Sequence, residues 1–106
     1  MRALSPERAR LYLAAVWDSW LEEETLETMQ EAKTLARMMG LGRAEFRDRL
    51  MVLYPDVARE FLQQGTNQIE AEKKFANALE REIRAGRLSL LGAEQKLEEL
   101  RRATAS

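Results

Sequence analysis

The side chains available for chemistry are limited, because this sequence contains neither histidine nor cysteine. Their absence excludes the usual zinc sites, thiol nucleophiles, disulfide bonds and acid–base catalysis by imidazole. Catalysis would therefore depend on carboxylate, lysine, tyrosine or hydroxyl side chains. A metal would be a hard cation, such as Mg²⁺ or Mn²⁺, held by oxygen ligands.

Three glutamates lie beside the apolar face of the first helical segment. If that helix is continuous, Glu24, Glu27 and Glu31 continue the direction of Trp17 and Trp20 on a helical wheel of about 100° per residue. A carboxylate at a buried edge needs a partner, because an unpaired buried charge is costly. The partner is either a divalent cation or an arginine, and the sequence leaves both open.

Two acidic segments in this region resemble the motifs of a known family. The segments EETLE at 23–27 and EFRD at 45–48 resemble the E-E-x-x-E and E-x-x-D motifs of the MazG-like all-α nucleoside triphosphate pyrophosphatases. The resemblance implies an Mg²⁺-dependent enzyme, since acids three apart on two facing helices form an oxygen cage. It implies the metal ligands Glu24, Glu27, Glu45 and Asp48, and the phosphate contacts Lys74, Asn77 and Arg81.

A second resemblance involves the neighbouring turn. The segment LARMMGL at 35–41, followed by Phe46 and Leu50, resembles a helix-turn-helix with an alanine and a glycine four residues apart. The resemblance implies that Arg43 and Arg47 would read DNA in the major groove. The net charge of −1 does not favour this function, because phosphate neutralisation supplies much of the affinity of nucleic-acid binders. A tight helical hairpin explains the same residues.

The boundaries of the helices that hold these residues can be predicted from the few capping, glycine and proline residues in the chain. Ser5 and Pro6 indicate a helix start, with an N-cap serine and a first-turn proline. No glycine or proline follows until Gly40, so this segment is one helix of up to about 34 residues or two helices with a break near residues 24–25. Further helices are predicted over residues 43–53, 67–85 and 89–103, and a separate helix over residues 56–64 if the chain restarts at Pro55 rather than kinking there.

Details of the later helices can also be predicted. Pro55 either kinks the chain or restarts a helix, and Thr66 is the expected N-cap of the 67–85 helix. Glu72 projects from the apolar face of that helix, so it needs an arginine partner or a place at the edge of the core. The apolar face itself is predicted to hold Ile69, Phe75, Ala76, Leu79 and Ile83. We expect an all-α bundle of four or five helices with a long N-terminal helix, in a single domain over residues 1–106.

Two apolar features suggest contact with other chains. Trp17 and Trp20 lie close together on one face, and Leu90, Leu97 and Leu100 belong to a narrow stripe on the last helix. Both features fit core packing and both fit a docking surface. Two tryptophans, five methionines and the long first segment supply more apolar surface than short hairpins easily enclose. The sequence therefore favours a non-enzymatic adaptor or regulator, without a cofactor, that binds a protein partner or a second copy of itself as an oligomer.

The location also follows from composition. The 17 basic and 18 acidic side chains nearly balance, and the longest apolar run, at 11–17, is far shorter than the roughly 20 residues of a membrane span. No export signal is visible. We therefore expect no membrane partner, and the absence of cysteine fits the cytoplasm.

Overall fold

The computed structural model describes residues 5–17 and 23–105, and the side chains of residues 5–17 and 30–103. Over these ranges the chain forms six helices and no strand, which confirms the all-α class. The helices are α1 (Pro6–Trp17), α2 (Glu23–Met38), α3 (Arg43–Leu53), α4 (Pro55–Leu62), α5 (Gln68–Arg84) and α6 (Leu90–Ala105).

The chain divides into two compact units, Met1–Arg47 and Asp48–Ser106. The first unit holds α1, α2 and the start of α3, and the second holds the rest of α3 together with α4, α5 and α6. The single domain over residues 1–106 stays a prediction. None of the helices in the described ranges is long and apolar enough to cross a membrane.

The first unit is built on the packing of α1 against α2. A guanidinium nitrogen of Arg8 lies 3.1 Å from a carboxylate oxygen of Glu31, and the Tyr12 hydroxyl donates to the same oxygen at 3.1 Å. One straight helix would hold residues 8 and 31 about 34 Å apart, at 1.5 Å per residue. The expected long N-terminal helix is therefore wrong, because the chain folds back so that Glu31 obtains its arginine partner.

Glycine and proline set the next boundaries. Gly40 has a φ of 70° and follows the last turn of α2, where the Leu41 N–H donates to the Ala36 carbonyl at 2.9 Å. This is the hydrogen bond of a Schellman motif. Pro55 restarts the chain as the first residue of α4, where its missing N–H is not needed. The described residues therefore form six helices rather than the expected four or five. The first segment is divided into α1 and α2, and the chain is divided again at Pro55, between α3 and α4.

The N-terminus of α5 lies one residue later than expected. The Asn67 side chain accepts from the Glu70 N–H at 2.9 Å and so serves as N-cap, whereas the expected cap, Thr66, donates its hydroxyl to the Leu62 carbonyl at 2.7 Å. Thr66 instead satisfies a carbonyl at the end of α4. The two polar residues between the helices therefore satisfy one backbone group at the end of α4 and one at the start of α5.

The buried face of α5 differs from the expected one. Ile69 is 65% exposed and Ala76 is also exposed. Small alanines take the inner positions, since α5 packs against both α4 and α6 and the residues at a helix contact set how closely the axes approach. The buried residues are Ala71, Phe75, Ala78, Leu79 and Glu82.

Helix α6 completes the second unit. The Ser89 hydroxyl accepts from the Gly92 N–H at 2.9 Å at its start, and the helix packs against α4 and α5. Ala93 and Leu100 are buried. Arg101 donates to the Glu72 carboxylate at 3.0 Å, which confirms the arginine partner expected for Glu72.

Tyr12 gives a direct test of the α1–α2 packing. Burial, and then the hydrogen bond to Glu31, raise the pKa of the Tyr12 hydroxyl above its ordinary value of about 10. The folded state keeps this proton at a pH where the unfolded chain loses it. The free energy of unfolding is therefore undiminished by this group below about pH 10 and falls as the pH rises through the native pKa.

The chain has two tyrosines, so a Tyr54→Phe variant leaves Tyr12 as the single titrating phenol. We expect its absorbance at 295 nm to titrate with a midpoint above 10 in buffer and at about 10 in concentrated urea. Adding Glu31→Gln should bring the native midpoint closer to 10 without removing the shift, because burial is its largest cause. Equal midpoints in buffer and urea would contradict the described packing.

Candidate interaction surface

Helix α6 has an inner face and an outer face. The inner face carries buried Ala93 and Leu100 and half-buried Leu97. The outer face, defined here by residues that fall within about 100° of one another on a helical wheel, is exposed along its length and borders a shallow open concavity. Its members are Leu91, Glu94, Gln95, Glu98 and Arg102.

Two adjacent leucines lie at the start of this helix. Leu90 is 73% exposed and Leu91 is 65% exposed. Leu91 belongs to the outer face, and Leu90 stands at its edge. The side chains of described residues therefore leave a small apolar surface uncovered at the first turn of α6.

The charges of the outer face are not neutralised by neighbours on the chain. Lys96 pairs with Glu99 at 3.4 Å and Arg101 pairs with Glu72 at 3.0 Å, so both of these cations are engaged. Glu94, Glu98 and Arg102 form no ion pair within 4 Å among the residues whose side chains are described. The outer face thus presents two carboxylates and one guanidinium beside the exposed leucines.

The leucines of the stripe predicted for protein contact differ in how much of each side chain is exposed. Leu100 is only 1% exposed, so its side chain is covered by the chain itself. Leu97 is half-buried, and Leu90 is the stripe leucine that faces solvent. Sequence reasoning missed Leu91, because it lies one residue out of phase with the stripe. That displacement is the signal that would have separated an outward leucine from the inward ones.

The other predicted contact residue with a described side chain, Trp17, is held within the first unit. The Arg47 guanidinium carbon lies 5.8 Å from the centre of its ring, a distance compatible with cation–π attraction. Trp17 is half-buried. Trp20 lies outside the described residues, so its role in protein contact stays a prediction.

Both arginines proposed to read DNA contact the end of α1. Arg43 donates to the Val16 carbonyl at 3.1 Å. The Nε of Arg47 is buried without a hydrogen-bond partner in the described part of the chain. DNA reading by Arg43 and Arg47 would require these guanidinium groups to leave α1. That role remains an untested prediction.

The residues of the predicted metal cage are partly described. The Asp48 carboxylate is buried and accepts two hydrogen bonds from Arg81, at 2.7 and 3.0 Å. This bond raises the pKa of the Arg81 guanidinium. Glu45 is exposed, and its carboxylate lies 3.5 Å from the Gly42 nitrogen.

The side chains of Glu24 and Glu27 lie outside the described residues, so the four-carboxylate cage stays a prediction. Among the described side chains, no three carboxylates come close enough together to hold a metal ion. Of the three implied phosphate contacts, Lys74 and Asn77 are exposed, and Arg81 is the one bound to a predicted ligand.

Sequence reasoning also missed a buried carboxylate in the second unit. Glu82 is fully buried, and its two oxygens accept from Arg49 at 3.2 Å and from Arg87 at 2.6 Å. Arg49 also donates to the Arg87 carbonyl at 3.4 Å. Glu82 follows Phe75 by seven residues and Leu79 by three, which places it on the apolar face of α5. This spacing could have predicted from the sequence that Glu82 is buried.

No known protein family, curated protein or solved structure matches this chain. The likeness to the MazG-like pyrophosphatases therefore rests on the two acidic segments alone.

Two glutamates on α5 give a matched test of the buried cluster. Glu82→Gln should lower the free energy of unfolding by about 2–4 kcal/mol, because it leaves Arg49 and Arg87 facing a neutral amide in a buried site. Glu80→Gln should cost less than about 1 kcal/mol, since Glu80 and its partner Arg84 are both exposed. Urea unfolding followed by circular dichroism measures both values. Equal losses would show that burial of Glu82 adds nothing.

Proposed function

We propose that this chain is a non-enzymatic helical interaction module, an adaptor or regulator acting in the cytoplasm, that binds another protein chain through the outer face of α6. The observation that carries the proposal is the adjacent exposure of Leu90 and Leu91 at 73% and 65%. Burying a leucine fully is worth about 1.5–3 kcal/mol relative to leaving it in water. Two neighbouring leucines therefore offer a useful share of a binding energy.

The surroundings of the leucines support a binding role. Glu94, Glu98 and Arg102 follow Leu91 along the same face, which places charged groups around a small apolar centre. Protein interfaces commonly have this arrangement of apolar core and polar rim. A helical face of this kind also suits contact with a helix or groove of a partner.

Exposed apolar side chains on the other helices are weaker candidates. Leu11, Met38, Leu53 and Ile69 are exposed, but each stands on a different helix. Single exposed apolar residues are ordinary on protein surfaces. The leucine pair of α6 is distinguished by adjacency and by neighbouring charges that have no ion-pair partner among the described side chains.

A site-specific photocrosslinker tests the proposal. We expect p-benzoylphenylalanine at position 91, introduced in cells that express the full chain, to give a discrete covalent adduct with a protein that mass spectrometry identifies. Crosslinking to a second copy and crosslinking to another protein both meet this expectation. The same group at position 74, an exposed site on α5, should give none. Adducts from neither position, or the same adducts from both, would overturn the proposed function.

A stability measurement separates contact residues from core residues on α6. Leu91→Ser should change the free energy of unfolding by less than about 0.5 kcal/mol, because the side chain is mostly exposed. Leu100→Ser should cost about 3 kcal/mol or more, because a hydroxyl would enter a filled site. Thermal and urea unfolding of both variants measure the difference. A large loss in Leu91→Ser would mean that Leu91 supports the fold.

A further inference from the structure

We infer that the occupant of this surface is the same face of a second copy, packed antiparallel, with a two-fold axis passing beside Glu98. This inference rests on the proposed function and adds the identity of the partner and the register of contact. In a two-fold interface, if one residue contacts a second, the second contacts the first across the axis. A surface must therefore be complementary to its own reversed copy.

The charges of the outer face meet this condition. Glu94 and Arg102 lie four residues before and four residues after Glu98, about 6 Å away in each direction along the helix. Antiparallel pairing centred on Glu98 therefore sets Glu94 of each copy opposite Arg102 of the other. The interface gains two ion pairs between groups that have no ion-pair partner among the described side chains. Parallel pairing would instead oppose like charges at all three positions.

The leucines select this register over its neighbours. Shifting the axis toward residue 96 would oppose Glu94 and Glu98 of the two copies and so place like charges together. Shifting it toward residue 100 would pair Glu98 with Arg102, but Leu91 would then extend past the end of the partner's α6. With the axis at Glu98, Leu91 lies over the last turn of that helix, opposite residue 105. The register at Glu98 is the one that pairs charges and also keeps Leu91 within the length of the partner's α6.

The same geometry sets a limit on affinity. The two Glu98 carboxylates face each other at the axis, and like charges directly opposed weaken an interface. The apolar contribution comes mainly from Leu91 of each copy. We therefore expect a weak dimer whose dissociation constant falls when the charge at the axis is removed.

Sedimentation equilibrium of the purified full chain from about 5 to 500 µM tests the inference through charge exchange. Glu94→Arg or Arg102→Glu alone turns two attractions into two repulsions, and each should weaken dimerisation at least about tenfold. The double variant restores opposite charges with the signs exchanged, so it should return to within about threefold of the original. Glu98→Gln should strengthen the dimer about threefold or more.

Glu80→Arg on α5 is the matched control, because it changes charge equally at an exposed site on another helix. It should leave dimerisation unchanged, and circular dichroism should show equal helix content in every variant. A chain that stays monomeric at 500 µM in all forms overturns the inference. Failure of the double variant to restore the dimer overturns the register. An adduct of position 91 with a different protein, together with a monomeric purified chain, would retain the proposed function and remove only this inference.

Discussion

The second unit depends on a carboxylate that has no contact with water. Transfer of an unpaired carboxylate out of water is expensive, and Glu82 is fully buried at the inner face of α5. Arg49 and Arg87 offset this cost, since each donates to one of its oxygens. Both arginines remain about one-quarter exposed, so they keep part of their own hydration while they satisfy the buried group.

This requirement also fixes how two helices meet. Asp48 and Arg49 are consecutive on α3, and they bond to Arg81 and Glu82, which are consecutive on α5. The acid of each pair contacts the base of the other. A shift of one residue between the helices would bring like charges together and leave Glu82 without its partner. The two charge pairs therefore specify the register of α3 against α5, which apolar contacts alone would not do.

Local signals made much of the helix pattern predictable. Ser5 and Gly40 act through hydrogen bonds and backbone angles within a few residues of themselves, so their effects can be inferred from sequence spacing. The partner of Glu72 was also predictable in kind, because a charge on an apolar stripe requires one. Which arginine supplies it depends on the fold, and Arg101 lies 29 residues away.

Contacts between distant segments explain what the sequence did not reveal. The return of α2 along α1 places Glu31 beside Arg8, and no rule of helix propensity forbids the longer helix that was expected. The candidate surface could not be predicted from the sequence for a related reason. A stripe at helical spacing identifies the side of α6 that is buried, as Ala93 and Leu100 are, whereas a contact surface consists of residues that the fold leaves uncovered. Leu91 became visible as a candidate only when the direction of the stripe was known.

The inner contacts of α6 also explain why its outer face suits binding. Ser89 caps its start, and near its end Arg101 donates to Glu72 and the Ala103 carbonyl accepts from Arg59. A helix capped at its start and held to its neighbours near its end loses little conformational freedom when a partner arrives, and such preorganisation lowers the entropic cost of association. None of these anchors uses a residue of the outer face. Contact with a partner therefore requires no group to leave the fold, which separates the energetics of binding from those of folding in α6.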